Sequence, residues 1–285
     1  MTSTQSPTDP IYPDSPTLLR ALDDDGVLLL TLNRPDRNNG WTHEMEEAYF
    51  GSLLAASADP AVRVIVVTGA GRSFCPGMDM LALAESAASG GLATNLVRRW
   101  PMTMARKIPK PIIAAINGAC AGIGFVQICS ADLRFASTTA KFTTAFSRRG
   151  LPAENSLSWI LPRLVGTGVA MDLLLSARVV LADEALRIGL INQLCEPDDL
   201  LAKALAYAHD LAQNCSPVSL SMIKGQINDD WERTAEESRL RSLIQMSEMG
   251  QHADFAEGVH SFQEKRAPRF ADLSIPVAIA KSINR

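Results

Sequence analysis

One pattern, used twice, constrains the fold of this chain most strongly. An apolar run closes on a glycine-bearing stretch, which leads into a segment able to start a helix. The first run is Val62–Thr68, followed by Ser73-Phe74-Cys75-Pro76-Gly77-Met78-Asp79. About 45 residues further on the pattern recurs: Pro111–Ile116 is followed directly by Asn117-Gly118-Ala119-Cys120-Ala121-Gly122-Ile123-Gly124. Short apolar runs bounded by turn residues read as buried strands. A strand-to-helix turn leaves backbone N–H groups without partners, and two such turns facing one pocket can hold an oxygen that gains negative charge. That arrangement fits an enzyme that stabilises an enolate.

Composition narrows the class. With 285 residues and 47% hydrophobic content, the chain can bury a large core as one domain or a domain with an appendage. A net charge of −4 and a pI near 5.6 give no electrostatic case for nucleic acid or anionic membrane. Five cysteines (75, 120, 129, 195 and 215) show no metal-like spacing, and three lie in apolar runs, as expected of a reduced, cytoplasmic protein. No apolar stretch reaches the length of a membrane span. Residues 1–16, rich in Ser, Thr and Pro, lack the basic and apolar regions of a secretory signal and are expected to form a disordered tail.

Along the chain, Val27–Asn33 reads as a strand closed by Arg34-Pro35-Asp36-Arg37, and 43–58 as a helix capped by Thr42. Small residues crowd 81–96, as in a lid or a slack connector. A helix is predicted over 96–107, a further helix over 125–130, and short strands at 133–136, 141–143 and 191–195. From 198 the pattern is helical throughout: 199–213, 217–231 with Ser216 as cap and Pro217 in the first turn, 235–249 and 253–265. The expected division is a tail at 1–16, an α/β body with the active site at 17–197, and a helical oligomerisation region at 198–285.

Several strings, in this order and spacing, resemble the enoyl-CoA hydratase/isomerase (crotonase) family over nearly all of 17–270. They are Leu32-Asn33-Arg34-Pro35, Val66-Val67-Thr68-Gly69, the first glycine stretch, Lys110 through Gly118, Ser130-Ala131-Asp132-Leu133-Arg134, and Glu257-Gly258-Val259 with Phe262-Gln263-Glu264-Lys265-Arg266. The resemblance implies an α/β fold, a crotonase-like spiral of ββα units with a C-terminal all-helical region, assembled as a homotrimer or a dimer of trimers. It also implies an acyl-CoA substrate whose thioester oxygen is held by two backbone N–H groups, those of Met78 and Ile123, with CoA brought as part of the substrate and no separate cofactor. Pro76 would lie near the adenine and Arg37 near the CoA phosphates.

Two departures from the family pattern matter. Ile123 stands where glycine is usual; the N–H survives, but a β-branched side chain narrows the cavity. Where hydratases carry two glutamates, the chain has Val126 and Phe146, and neither can move a proton. Glu154 lies eight residues past the second of these positions, near where dienoyl-CoA isomerases and chlorobenzoyl-CoA dehalogenase place a working aspartate. Followed by Leu157, Trp159, Ile160 and Leu161, it is expected at the mouth of an apolar pocket as general acid or base; the plainer alternative is a carboxylate that favours a helix dipole. Asp79 is expected to brace its turn. His43, His209, His252 and His260 have no ligand spacing, and no metal site is expected.

Three functions are open. One is a hydratase or isomerase: a single carboxylate suits proton transfer between two carbons, whereas hydration needs Glu154 both to position water and to deliver the proton. The second is enolate chemistry on a bulky aromatic or polyketide-like acyl group, favoured by Phe125 and Phe146. The third is a non-catalytic paralogue.

Overall fold

A computed structural model describes residues 12–88 and 99–273. A six-stranded sheet has the order β1 (Leu18–Leu22), β2 (Val27–Leu32), β3 (Val64–Gly69), β5 (Ile112–Ile116), β7 (Leu133–Ser137) and β10 (Gln193–Cys195). Only β1 and β2 pair antiparallel; the rest are parallel. A second sheet orders β4 (Ser73–Cys75), β6 (Ala119–Ala121), β8 (Lys141–Thr143) and β9 (Val180–Leu181). From β3 to β8, three successive turns each lay one strand in the large sheet and the next in the small one before entering a helix: α2 (Met80–Ala88), α3 (Ile123–Ser130) and α4 (Leu157–Val165). This is the ββα spiral that the resemblance implies.

The central strands are apolar without alternation because both of their faces are buried. Ile65, Val67, Ile112, Ala114 and Ile116 face the main core with α1 (His43–Ala58) and α3. Val64, Val66, Ile113, Ala115 and Phe135 face α7 (Leu200–Asn214), whose Ala204, Ala208 and Ala212 form a small-residue stripe that lets the helix lie close to the sheet. This helix therefore belongs to the body, and the boundary expected at 197 cuts through a packed layer. The remaining α-helices among the described residues are α5 (Thr167–Ser176), α6 (Ala182–Arg187), α8 (Pro217–Asp230), α9 (Ala235–Met249) and α10 (Ala253–Glu264). At the other end, residues 1–11 lie outside the described residues. The folded body begins before residue 17: Tyr12 packs on the core and its hydroxyl donates to Asp59 at 2.9 Å.

Several local expectations hold. Thr42 Oγ1 accepts from the Met45 N–H at 3.2 Å, and Ser216 Oγ accepts from Ser219 N–H at 3.2 Å before Pro217. Others need correction. The glycine stretches are not simple strand-to-helix turns; each first lays down three residues, β4 or β6, which pair with one another in the small sheet. Segments this short carry no readable alternation. The helix expected over 96–107 shrinks to a 3₁₀ turn, Met104–Lys107, because Pro101 cannot donate and disfavours helix before it; 96–98 lie outside the described residues. The lid segment 81–96 is helical as far as Ala88, and the rest of it lies outside the described residues.

Candidate active site

The first donor loop follows β4. Trp41 N–H donates to Gly77 O at 2.7 Å, and Asp79 N–H donates to Trp41 O at 3.0 Å, a single parallel bridge between Trp41 and Met78. In an extended segment the N–H of alternate residues points to opposite edges, so the Met78 N–H points away from Trp41. Among the described residues it has no acceptor. The second loop follows β6. Gly122 N–H donates to Thr143 O at 3.3 Å and its carbonyl accepts from Val126, while Ile123 N–H, at the first turn of α3, has no acceptor among the described residues.

The two loops touch through their glycines. A methyl group on Gly77 (φ +107°) would stand 3.2 Å from Ala121 O, and one on Gly122 (φ +51°) 3.6 Å from the Gly77 Cα. The unpaired N–H groups of Met78 and Ile123 thus each follow one of two abutting glycines. Behind them, Gly124 admits no side chain, since a Cβ would fall 2.1 Å from Cys75 O. This close approach seats the N-terminus of α3 on β4.

Asp79 braces the first loop. Its carboxylate accepts from Leu81 N–H at 3.0 Å and pairs with Arg34 at 3.0 Å, and Arg34 also donates to Gly40 O. Burial alone would raise the Asp79 pKa; the Leu81 N–H, Arg34 and the nearby charge of Arg37 outweigh it and hold the carboxyl below its usual range. Arg37 is exposed on the turn Pro35–Arg37, which packs against Asp79 through Gly40, and half-buried Pro76 links β4 to Gly77. Burial pushes the thiols of Cys75 and Cys129 up to about 12 and that of Cys120 well above its ordinary value, so they are inert packing at neutral pH.

Val126 and Phe146 are fully packed in the apolar cluster that includes Ile123, Leu157 and Ile160, with Met78 and Leu151 at its edge. Glu154 lies between Leu151 and Leu157, half-buried, and its Oε2 accepts from Asn155 Nδ2 at 3.3 Å. Asn155 (φ 53°) and Ser156 (φ 61°) are both left-handed, a conformation that non-glycine residues hold only when their surroundings demand it. Trp159 packs on the edge of the same cluster and also meets Trp231, ring centroids 4.9 Å apart and planes tilted by 59°. The bracing roles of Arg34 and Trp41 carry no sequence signal, since each is set by contacts with residues far along the chain. Among the described residues, no group of three or more His, Cys, Asp or Glu is arranged to hold a metal ion, and no helix is long and apolar enough to cross a membrane.

Comparison with known proteins agrees with this architecture. The profile of the enoyl-CoA hydratase/isomerase family matches residues 23–273. The chain is 34% identical to 1,2-epoxyphenylacetyl-CoA isomerase of Escherichia coli K12, over 86% of its own length and 95% of the relative's. It is 37% identical to a probable enoyl-CoA hydratase of Rhodobacter capsulatus, with the same two coverages, 86% and 95%. Among solved structures, a putative enoyl-CoA hydratase/isomerase from Mycobacterium abscessus superposes with a TM-score of 0.84 at 30% identity, covering 90% of this chain and 100% of that one.

Proposed function

The chain belongs to the enoyl-CoA hydratase/isomerase family, and on that premise we propose that it is an acyl-CoA enzyme that holds its thioester oxygen between the N–H groups of Met78 and Ile123. The observation that supports this is that the N–H groups of Met78 and Ile123, without an acceptor among the described residues, each lie one residue past one of two abutting glycines. Donors fixed before the reaction stabilise the enolate without reorganising; removing one such donor typically costs about 3–4 kcal/mol of barrier. Pro76 and Arg37 receive the adenine and phosphates of CoA.

Glu154 is the single acid/base. With the carbonyl polarised, its carboxylate takes a proton from the α carbon, the electron pair enters the dienolate, and the same proton returns to the γ carbon, moving the double bond. Hydration uses the same cradle if Glu154 orients water and then delivers the proton. Hydratase/isomerase activity is therefore the leading reading. Incubation with crotonyl-CoA and with a 3-enoyl-CoA tests it: turnover of at least one is expected, and turnover of neither defeats it.

A second reading, enolate chemistry on a bulky aromatic acyl group, is favoured by Val126 and Phe146, which make the pocket dry and apolar, and by the aromatic substrate named for the Escherichia coli relative. Assembly as a homotrimer or dimer of trimers through the C-terminal helices is supported by exposed Leu243, Ile244, Met246 and Phe262 on α9 and α10. A cytoplasmic location fits the five unpaired cysteines.

A further inference from the structure

One face of α8 is fastened to the body by a row at i, i+4 and i+7: Lys224, Asn228 and, at the helix C-cap, Trp231. Lys224 Nζ donates to Ala105 O and Lys110 O, both at 3.0 Å, and to Asp132 Oδ2 at 2.7 Å. Asn228 Nδ2 donates to Arg106 O at 3.0 Å. Trp231 makes the last contact, and it reaches a different element. Its ring meets Trp159 of α4, with the Arg106 guanidinium 4.0 Å and that of Arg163 5.6 Å from its centroid. The same two guanidiniums sit 4.8 and 4.1 Å from the Trp159 ring. Two like charges share one indole pair, because each finds a negative ring face.

Trp159 is the third residue of α4, and the first turn of α4 is continuous with Glu154: Leu157 N–H donates to Glu154 O at 3.0 Å, and Trp159 N–H to Ser156 O at 3.0 Å. Leu157 and Ile160 hold the inner side of this turn in the core. Its outer side is held by the indole pair. Just before this turn lie Asn155 and Ser156, whose left-handed backbones persist only where their surroundings hold them. Among the described residues the Glu154 carboxylate accepts a hydrogen bond only from its sequence neighbour Asn155, so its placement follows the backbone.

We infer that Trp231 is a positioning residue: through Trp159 the C-terminal helices fix the turn that carries Glu154, a role resting on Glu154 being the acid/base proposed above. Hydrogen exchange on the full chain reads this without substrate. In Trp231→Ala the Leu157 amide and its neighbours at 153–160 exchange about tenfold faster, while the strand 64–69 keeps its wild-type rates. Unchanged exchange at 153–160, or uniform acceleration throughout, overturns the inference. Should Trp231→Ala not fold, Trp231→Leu, which keeps apolar bulk without the ring face, must show the same local pattern.

Kinetics with crotonyl-CoA and a 3-enoyl-CoA supply the second readout. Trp231→Ala lowers kcat roughly ten- to a hundredfold with KM held within about threefold, the scale of a small misplacement of a reacting group. Trp231→Phe restores most of the loss. In a Glu154→Gln background the same substitution adds nothing further, because the group it displaces is already disabled; equal losses in both backgrounds overturn the inference. Full turnover by Glu154→Gln alone defeats the acid/base role itself, while the exchange data still decide whether Trp231 holds the turn.

Discussion

Arg34 Nη2 stands 3.0 Å from Asp79 Oδ2, tying the turn after β2 to the residue that follows Met78. The pair sits at the point where a backbone N–H must be aimed, since Asp79 N–H and Gly77 O are already committed to Trp41. Arg34→Ala is expected to lower kcat by roughly ten- to a hundredfold with modest change in melting temperature, because a loosened loop misaims a donor without opening the core. Steady-state kinetics beside thermal unfolding check this; a change in melting temperature alone would make the pair purely structural.

The same contact gives a pH dependence. The Asp79 carboxyl is held below its ordinary value of 3.8, so its ionised form favours the folded state. Its contribution is complete above that unfolded value and is lost as pH falls through the lower folded one. Wild type and Asp79→Asn are therefore expected to differ in stability near neutral pH and to converge as pH falls through the lowered folded-state value. Urea unfolding across that range reads the difference, and parallel curves at every pH count against it.

Gly122 (φ 51°, ψ −118°) occupies a region closed to other residues. Gly122→Ala is expected to cost about 1–3 kcal/mol of stability and to lose activity as the Ile123 N–H moves. Denaturant unfolding and turnover measured on one preparation test both. Full activity would remove this turn from the catalytic cradle.

Asp132 Oδ2 accepts from both Lys224 Nζ and Ile112 N–H, each at 2.7 Å. Burial, opposed by Asp132, lowers the Lys224 pKa. Asp132→Ala leaves a buried ammonium without its counter-ion and is expected to cost about 3–5 kcal/mol, whereas Lys224→Met, which removes the buried charge itself, costs less. Chemical denaturation ranks the two; the reverse order would show that the ammonium is satisfied by the carbonyls of Ala105 and Lys110 alone.

Phe146 is buried in the apolar cluster that also holds Val126, Leu157 and Ile160. Phe146→Ala is expected to destabilise by about 3–5 kcal/mol and to shift preference toward larger acyl groups by enlarging the pocket. Relative kcat/KM for short-chain and aromatic acyl-CoA thioesters is the measurement. An unaltered ratio would place the side chain outside the acyl pocket.

Local pattern was enough to determine the long elements of this protein. Helical spacing marks α1, α7, α8, α9 and α10, and Thr42 and Ser216 cap α1 and α8, because spacing and caps are properties of neighbouring residues. Strands buried on both faces announce themselves as unbroken apolar runs. The two glycine stretches were legible in the same way, while Met78, Ile123 and Glu154 were singled out as candidates through family resemblance. Tertiary structure alone decided the rest. The three-residue strands β4 and β6 exist only because they pair with each other, and α7 joins the body only because its alanine stripe meets a sheet face. Arg34 reaches Asp79, and Trp231 reaches Trp159, across gaps of dozens of residues. Such contacts depend on where the chain returns in space, and propensity along the chain carries no record of that.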